Sequence, residues 1–482
     1  MEQVEVLIAG SGFAGLCAAK EAREAGHDVV VIERAASVGG VWRDNTYPGC
    51  ACDVPSHLYS YSFAPNPDWT RSYAPQAEIR RYIEGCVDRF GLREAIRLNE
   101  GLRRARWDAA SKRWHVETTR GAYAARYLIW AAGVFSKTTR PRFPGDDLFE
   151  GPRFHSARWE HDVDLEGKRV AVIGTGASAI QFIPHLAEKA KELTIFQRTP
   201  PWVLPRKDRA IGAWQRRMFR ALPFTQRAVR WQQYWKHESR VIALAYHPRI
   251  AAIASSAGRR HLRRQVKDPA LREALTPRYP MGCKRVLLSD TYYPALCQPN
   301  VTVVPEAVAA LDAGGVVAAS GRRVDADVVV YGTGFAIQSP TRPGALLGRD
   351  GVDLADVWGS SLEAYKGTSI SGFPNLFVLL GPNTGLGHSS MIYMIESQVA
   401  YVTDALSQAR ARGWEAMDVQ PEAQRVWNED VQRRSGGTVW QSGCKSWYLD
   451  KSGRNTALWP GFTFEFRAHT RRFDPSVYTP IS

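Results

Sequence analysis

Short apolar runs, several of them ending on glycines, recur along this chain of 482 residues. The first, residues 4–9, runs into Gly10-Ser11-Gly12-Phe13-Ala14-Gly15 and predicts a buried strand, a tight turn and an alanine-rich helix over about residues 13–25. A second strand over 28–32 stops at Glu33, and 127–132 predicts another that closes on Gly133. Arg140-Pro141-Arg142-Phe143-Pro144-Gly145 breaks any element and reads as a linker. The arrangement then repeats: a strand over 169–173, the turn Gly174-Thr175-Gly176-Ala177-Ser178-Ala179, a helix to about 191, and a strand over 193–196 followed by Gln197-Arg198. Strands resume at 301–304 and 326–331, the latter ending at Gly332-Thr333-Gly334-Phe335, and 375–380 stops at Gly381-Pro382. A helix over about 389–406 follows, with Ser389 or Ser390 as its N-cap. Strands alternating with helices predict an α/β fold with mostly parallel sheets.

Two glycine turns of the form GxGxx(G/A), each after an apolar strand and opening a helix, make this a chain with two dinucleotide sites. Gly10, Gly12 and Gly15, and in the second copy Gly174, Gly176 and Ala179, let the backbone turn tightly and approach a pyrophosphate at the positive end of a helix. Glu33 lies 18 residues beyond Gly15, where a carboxylate accepts from ribose hydroxyls, which suits FAD or NAD. The corresponding position of the second unit, 19 residues beyond Ala179, is Arg198, a cation that welcomes a 2′-phosphate and so predicts NADPH. Gly39-Gly40 gives the first nucleotide a second close backbone approach, and the helix beginning near Ser389 aims a positive end at a flavin, so the first site is read as FAD. The predicted organisation is two Rossmann-like dinucleotide-binding domains. Residues 1–145 and 336–482 form the FAD part, 146–205 and 276–335 the NADP part, and 206–275 a helical insertion.

Composition is that of an ordinary globular protein, with 44% hydrophobic and 23% charged residues. No apolar stretch approaches the ~18–20 residues of a membrane-spanning helix. The start enters a strand at Val4 without a basic leader, and the seven cysteines lack framework spacing, so a reducing cytoplasm and no disulfide framework are expected. The net charge of +15 is concentrated: residues 206–278 hold 18 Lys/Arg against 4 Asp/Glu, with aromatics interleaved. Two readings of that segment stand, a solvated helical face near an anionic cofactor or contact with an anionic membrane surface. No nucleic-acid module accompanies the charge, so nucleic acid is not an expected partner. No HEXXH, CxxC or spaced carboxylate cluster predicts a metal. Cys50 and Cys52, separated by one residue, do not match a dithiol relay.

Gly39-Gly40-Val41-Trp42-Arg43-Asp44-Asn45-Thr46-Tyr47-Pro48-Gly49-Cys50-Ala51-Cys52-Asp53 fits the pattern GGxWxxxxYPGxxxD at every fixed position. Phe149 to Trp159, with Gly151 and His155 between, fits FxGxxxHxxxW. Glu160 departs from the Pro or Asp usual after it. Together these resemble the class B flavoprotein monooxygenases, and within them the Baeyer–Villiger monooxygenases, over nearly the whole chain. The resemblance implies an FAD-dependent, NADPH-consuming enzyme. It would insert one oxygen atom of O2 beside a ketone carbonyl through a peroxyflavin, giving an ester or lactone.

The resemblance also implies roles. Met281-Gly282-Cys283-Lys284-Arg285 looks like the family segment with the active-site arginine, so Arg285 would lie over the flavin, paired with Asp53. Lys284 would join Arg198 at the 2′-phosphate, with Thr199 in the same nucleotide site and Gly40 and Trp42 in the flavin site. Trp447, in Cys444-Lys445-Ser446-Trp447-Tyr448, would hold the nicotinamide nucleotide. His155 is expected at the hinge between nucleotide domains rather than in acid–base chemistry, with Gly332–Phe335 as a linker between them. Trp159 favours ketone oxygenation, because enzymes oxidising sulfur or nitrogen typically carry Tyr or Phe there. The alternatives are such a sulfur- or nitrogen-oxidising enzyme, or a flavoprotein that spends NADPH on peroxide. The expected substrate is a lipophilic ketone, with O2 as co-substrate.

Overall fold

The computed structural model describes residues 1–339, 341–359 and 361–481. The chain opens with β1 (Glu2–Ala9), α1 (Phe13–Glu24) and β2 (Val29–Ile32), which pair parallel with Val6 against Val29. The antiparallel strands β3 (Leu102–Asp108), β4 (Arg113–Thr118) and β5 (Ala122–Trp130) follow. β5 lies parallel to β1 along its length, and on its other edge it divides. Its first half pairs with β4 and its second, Leu128–Trp130, with the late strand Leu376–Val378. Chain segments some 250 residues apart therefore complete one eight-stranded sheet.

The second sheet has five strands, all parallel. Its members are β6 (Arg153–His155), β7 (Arg169–Ile173), β8 (Glu192–Phe196), β9 (Val301–Val304) and β10 (Val328–Tyr331), in the order β9-β8-β7-β10-β6. Strands buried on both faces read as continuous β-branched runs, as Val29–Ile32 and Val328–Tyr331 do, because helices cover each side. The helix α2 (Ala179–Lys189) follows β7 as α1 follows β1. One mixed sheet and one parallel sheet, each with a glycine turn between a parallel strand and its helix, make the predicted α/β fold class.

Between the halves of the second sheet lie α3 (Ala213–Ala221), α4 (Pro223–Glu238), a five-residue π-helical turn at Ile242–Tyr246, α5 (Pro248–Gln265) and α6 (Pro269–Ala274). A long helix, α7 (Met391–Ala411), packs on α1 and is capped by Ser390, whose Oγ accepts from the Ile392 N–H at 3.2 Å. Of the two cap candidates the chain uses Ser390. Among the described residues no helix is long and apolar enough to cross a membrane.

One expectation is corrected. Cys283 and Cys444 are disulfide-bonded with Cα atoms 6.1 Å apart, although the cysteine spacing predicted no framework. A bridge spanning 161 residues leaves no local spacing signal; it is made by the approach of two loops. Cys50 and Cys52 are buried free thiols.

Candidate active site

The first glycine turn is a cradle of bare backbone. Gly10 has φ +111°, and a Cβ on it would lie 2.6 Å from Ala131 O; one on Gly15 would lie 1.8 Å from Gly10 O. Those two glycines are demanded by packing of turn, strand and helix. Gly12 is different: a Cβ there would meet only Gly40 Cα at 3.7 Å, so Gly12 and Gly40 face each other across a gap without side chains. That is the space a pyrophosphate needs beside a helix N-terminus. Glu33, at the end of β2, accepts from Ser11 N–H (3.0 Å), Ser11 Oγ–H (2.7 Å) and Ala35 N–H (3.0 Å), and pairs with Arg43 Nη1 at 2.8 Å. Burial pushes its carboxyl up, but the Ser11 hydroxyl, the Arg43 charge and the two amides outweigh it and leave it below its ordinary value. An acid at this position thus braces the fingerprint it follows.

The second turn repeats the logic with one change. A Cβ on Gly174 would lie 2.6 Å from Gly332 O, and Gly176 is open. Ala179 stands where the first unit has Gly15 because its methyl faces Gly332, another glycine, with only 3.1 Å to an added Cβ. Arg198 follows β8 at the surface with Thr199 half-buried beside it. Lys284 approaches from the loop after the insertion, its Nζ 4.9 Å over the Tyr279 ring. Burial and then the Arg198 charge lower its pKa, so the two cations share one neighbourhood. Like charges gathered without a carboxylate are a ready anion site.

The stretch carrying YPG joins the two nucleotide units. Tyr47 OH donates to Gln181 Oε1 (3.0 Å) on α2, and Gln181 Nε2 donates to Ala51 O (3.0 Å). Gly49, at φ +76°, presses so closely on α2 that a Cβ would sit 2.6 Å from His185 Nε2 and 2.7 Å from Gln181 O. Trp42 donates to Tyr59 OH at 3.0 Å and packs against the cores of both halves. At the end of the stretch Asp53 Oδ2 accepts from Arg285 Nη2 (2.6 Å) and Nε (2.9 Å). Burial pushes the Asp53 carboxyl up, but the Arg285 charge and hydrogen bonds, aided by Arg206, hold it below its ordinary value. Among the described residues Nη1 of Arg285 has no hydrogen-bond partner. A cavity of about 370 Å³ opens beside this stretch, lined by Tyr47, Cys50, Tyr73, Arg206 and Asp208 among others.

The FxGxxxHxxxW residues are brought together as a buried seam. A Cβ on Gly151 would meet Asp327 O at 2.1 Å, and Trp159 packs edge-on to Phe154 (5.1 Å) and against Phe182 of α2 (5.3 Å). His155 lies on β6, opposite Tyr331 of β10, with Nδ1 accepting the Ala157 N–H at 3.1 Å and its ring 5.9 Å from Phe335. Burial lowers its pKa, partly offset by the nearby Gly334 backbone. The residue therefore contacts the Gly332–Phe335 connection directly.

The disulfide carries the loop of Lys284 and Arg285 to the loop of Trp447. Trp447 is at the surface, edge-on to Phe135 at 6.3 Å. Three participants escaped the sequence reading: Arg206, whose Nη2 donates to Cys52 O at 2.9 Å, Tyr448, close enough to feel the Arg285 charge, and Leu244 of the π-helical turn, packed on Gly282. Tyr448 adjoins Trp447 in a motif already singled out; Arg206 and Leu244 had no such signal.

Two glycine turns, each between a parallel strand and a helix, together with the paired arginine and aspartate define a two-dinucleotide oxidoreductase. Consistently, residues 7–229 match the family model described as pyridine nucleotide-disulphide oxidoreductase. A protein of Streptomyces coelicolor named Baeyer-Villiger monooxygenase is 50% identical over 480 residues, 99% of this chain and 92% of its own. A solved steroid monooxygenase bound to NADP superposes with TM-score 0.88 at 32% identity, covering 100% of this chain and 99% of that one. A closed cyclohexanone monooxygenase superposes with TM-score 0.88 at 28% identity over the same shares. The chain belongs to the Baeyer–Villiger monooxygenase family. It is a flavin monooxygenase that consumes a nicotinamide nucleotide.

Proposed function

We propose that this enzyme oxygenates a lipophilic, cyclic ketone to the lactone, with Arg285 and Asp53 as its charged centre. The observation that carries the reading is that Asp53 Oδ2 accepts from both Nε and Nη2 of Arg285, which leaves Nη1 free. FAD is held by Gly10, Gly12, Gly15 and Gly40, with Glu33 bracing the turn and Trp42 flanking it. NADPH is held by Gly174, Gly176 and Ala179, with Arg198, Thr199 and Lys284 on its 2′-phosphate and Trp447 over the nicotinamide end. When bound, the flavin supplies a hydride acceptor for NADPH and the activation of O2.

The chain's own residues do the rest. Arg285 is permanently cationic, so it offers Nη1–H to negative charge developing on oxygen without giving its proton away. Asp53 is a positioning residue: it fixes the plane of the guanidinium and balances its charge. The Cys283–Cys444 link holds the loop of Trp447 and the buried Tyr448 against the loop of Arg285. His155 supports the connection between the nucleotide domains, proposed at residues 146–205 and 276–335 for NADP and 1–145 and 336–482 for FAD. The names of the similar steroid and cyclohexanone monooxygenases support a ring ketone as the substrate class.

The test is turnover of purified holoenzyme on matched cyclic ketones and alkyl aryl sulfides, with oxygen uptake and NADPH loss compared with product. Ketone product matching both losses supports the reading. Sulfoxide as the dominant product, or peroxide in place of product, would replace it.

A further inference from the structure

We propose that the outer face of the helical insertion seats the enzyme on an anionic lipid surface. The binding stands on its own observations; its purpose, collecting a membrane-dissolved ketone, rests on the reading above. α4 has two faces. Gln226, His237 and Glu238 are buried, while Phe224, Trp231 and Trp235 recur at i, i+7 and i+11 on one exposed stripe. Phe224 and Trp231 are 65% and 66% exposed, too much apolar area for chance on one helix face.

The stripe continues beyond α4 as an unbroken run of rings. Trp231 lies 6.3 Å from Trp235, Trp235 lies 6.1 Å from Phe464, Phe464 stacks at 4.9 Å on Phe462, and Phe462 stacks at 5.3 Å on Tyr246. Tyr246 leads into α5, whose inner face seats Gly258 and Leu262 and whose outer face presents Ile253, 72% exposed.

Charge selects the partner. Residues 206–278 carry a net +14, and among the described residues Arg227, Lys236, Arg249, Arg260, Arg263 and Arg264 have no carboxylate within 4.0 Å. A second copy would bring a matching positive face and be repelled. Exposed Trp and Ile flanked by unpaired arginines on helices is the composition that lies in the headgroup region of an anionic bilayer. The same segment reaches the active site. Leu244, two residues before Tyr246, lies so close to Gly282 that a Cβ there would be 2.6 Å from it, and Leu244 packs against the buried cluster that contains Val439, Trp440 and Tyr448. The membrane-facing rings and the loop of Arg285 are therefore joined through one π-helical turn, a distortion that often marks function.

The test is co-sedimentation of the holoenzyme with vesicles of equal parts phosphatidylglycerol and phosphatidylcholine, and with phosphatidylcholine alone. Binding to the anionic vesicles only, released in ~1 M salt, is expected. Arg227→Gln and Arg264→Gln should each lower partitioning about fivefold. Trp231→Ser with Trp235→Ser should abolish it while turnover of a water-soluble ketone is unchanged. Absence of binding, equal binding to neutral vesicles, or retention of binding by the double tryptophan variant would each overturn the proposal. So would a wild-type dimer that the tryptophan variant splits without loss of lipid binding, which would make the face a self-interface. Vesicle binding by an enzyme that oxidises no ketone would leave the docking face standing and remove the ketone reading instead.

Discussion

Asp53 Oδ2 lies 2.6 Å from Arg285 Nη2 although 232 residues separate them. The first ends the stretch that begins with Gly39-Gly40; the second follows the helical insertion. Their meeting joins the flavin half to the nicotinamide half at one ion pair. Each partner raises the charged population of the other: Asp53 lies below its ordinary pKa and Arg285 above its own. The pair therefore stays ionised across neutral pH, and removing one side leaves a partly buried charge uncompensated.

Arg198 and Lys284, which share one neighbourhood, are the residues proposed to read the 2′-phosphate. Arg198→Ala should raise KM for NADPH by about tenfold to a hundredfold, the worth of a charge-assisted contact. KM for NADH should hardly change. Steady-state kinetics with both nucleotides decides; a parallel rise in both would mean that Arg198 does not read the 2′-phosphate.

Gly151 is a packing requirement. Because a Cβ would sit 2.1 Å from Asp327 O, beside the start of β10, Gly151→Ala should destabilise the fold by about 1–3 kcal/mol. Denaturant unfolding checks this, and a change below about 0.5 kcal/mol, the range of a neutral surface substitution, would be inconsistent with the contact.

Asp418 supplies a pH signature far from the active site. Burial raises its carboxyl to about 6, against the opposing pull of Arg349 at 3.3 Å and the Gly372 N–H. A folded pKa above the unfolded one of ~3.9 gives stability that is full below that value and lost as pH rises through the folded pKa. Asp418→Asn, which keeps an oxygen for Gly372, removes the titration. The stability of the variant relative to wild type should therefore rise by about 2–3 kcal/mol between about pH 4 and pH 7. Thermal unfolding across that window checks it, and a constant difference would refute the assignment.

The Cys283–Cys444 bridge closes a long loop, and the chain-entropy account assigns it roughly 5 kcal/mol at most. Of the seven cysteines, five should react as free thiols in unfolded protein without reductant and all seven after reduction. Seven reactive thiols from the start would exclude the bridge.

The nucleotide turns were legible because their chemistry is local: a strand, three small residues and a helix occupy one stretch each. The offset that singled out Glu33 placed it at the end of β2, where it braces the first turn, and placed Arg198 just after β8. The hairpin of β3 and β4 could have been read too, since Ala105 and Trp107 alternate with Arg104 and Arg106, and Trp107 faces Trp114 across it. What the chain conceals is approach over long distances. Nothing near Leu376–Val378 says that it completes β5, and nothing near Arg206 or Leu244 says that they reach Cys52 and Gly282. The pairing of Asp53 with Arg285 entered through resemblance, and its geometry gives that pairing a physical reason.

Arg285 is proposed to stabilise charge in the oxygenation step and not to be needed for hydride acceptance. The direct measurement is product per NADPH for Arg285→Ala, alongside anaerobic bleaching of the flavin by NADPH. Bleaching should persist while ester or lactone formation falls by about 10²–10³-fold. Product formation near the wild-type rate would contradict it.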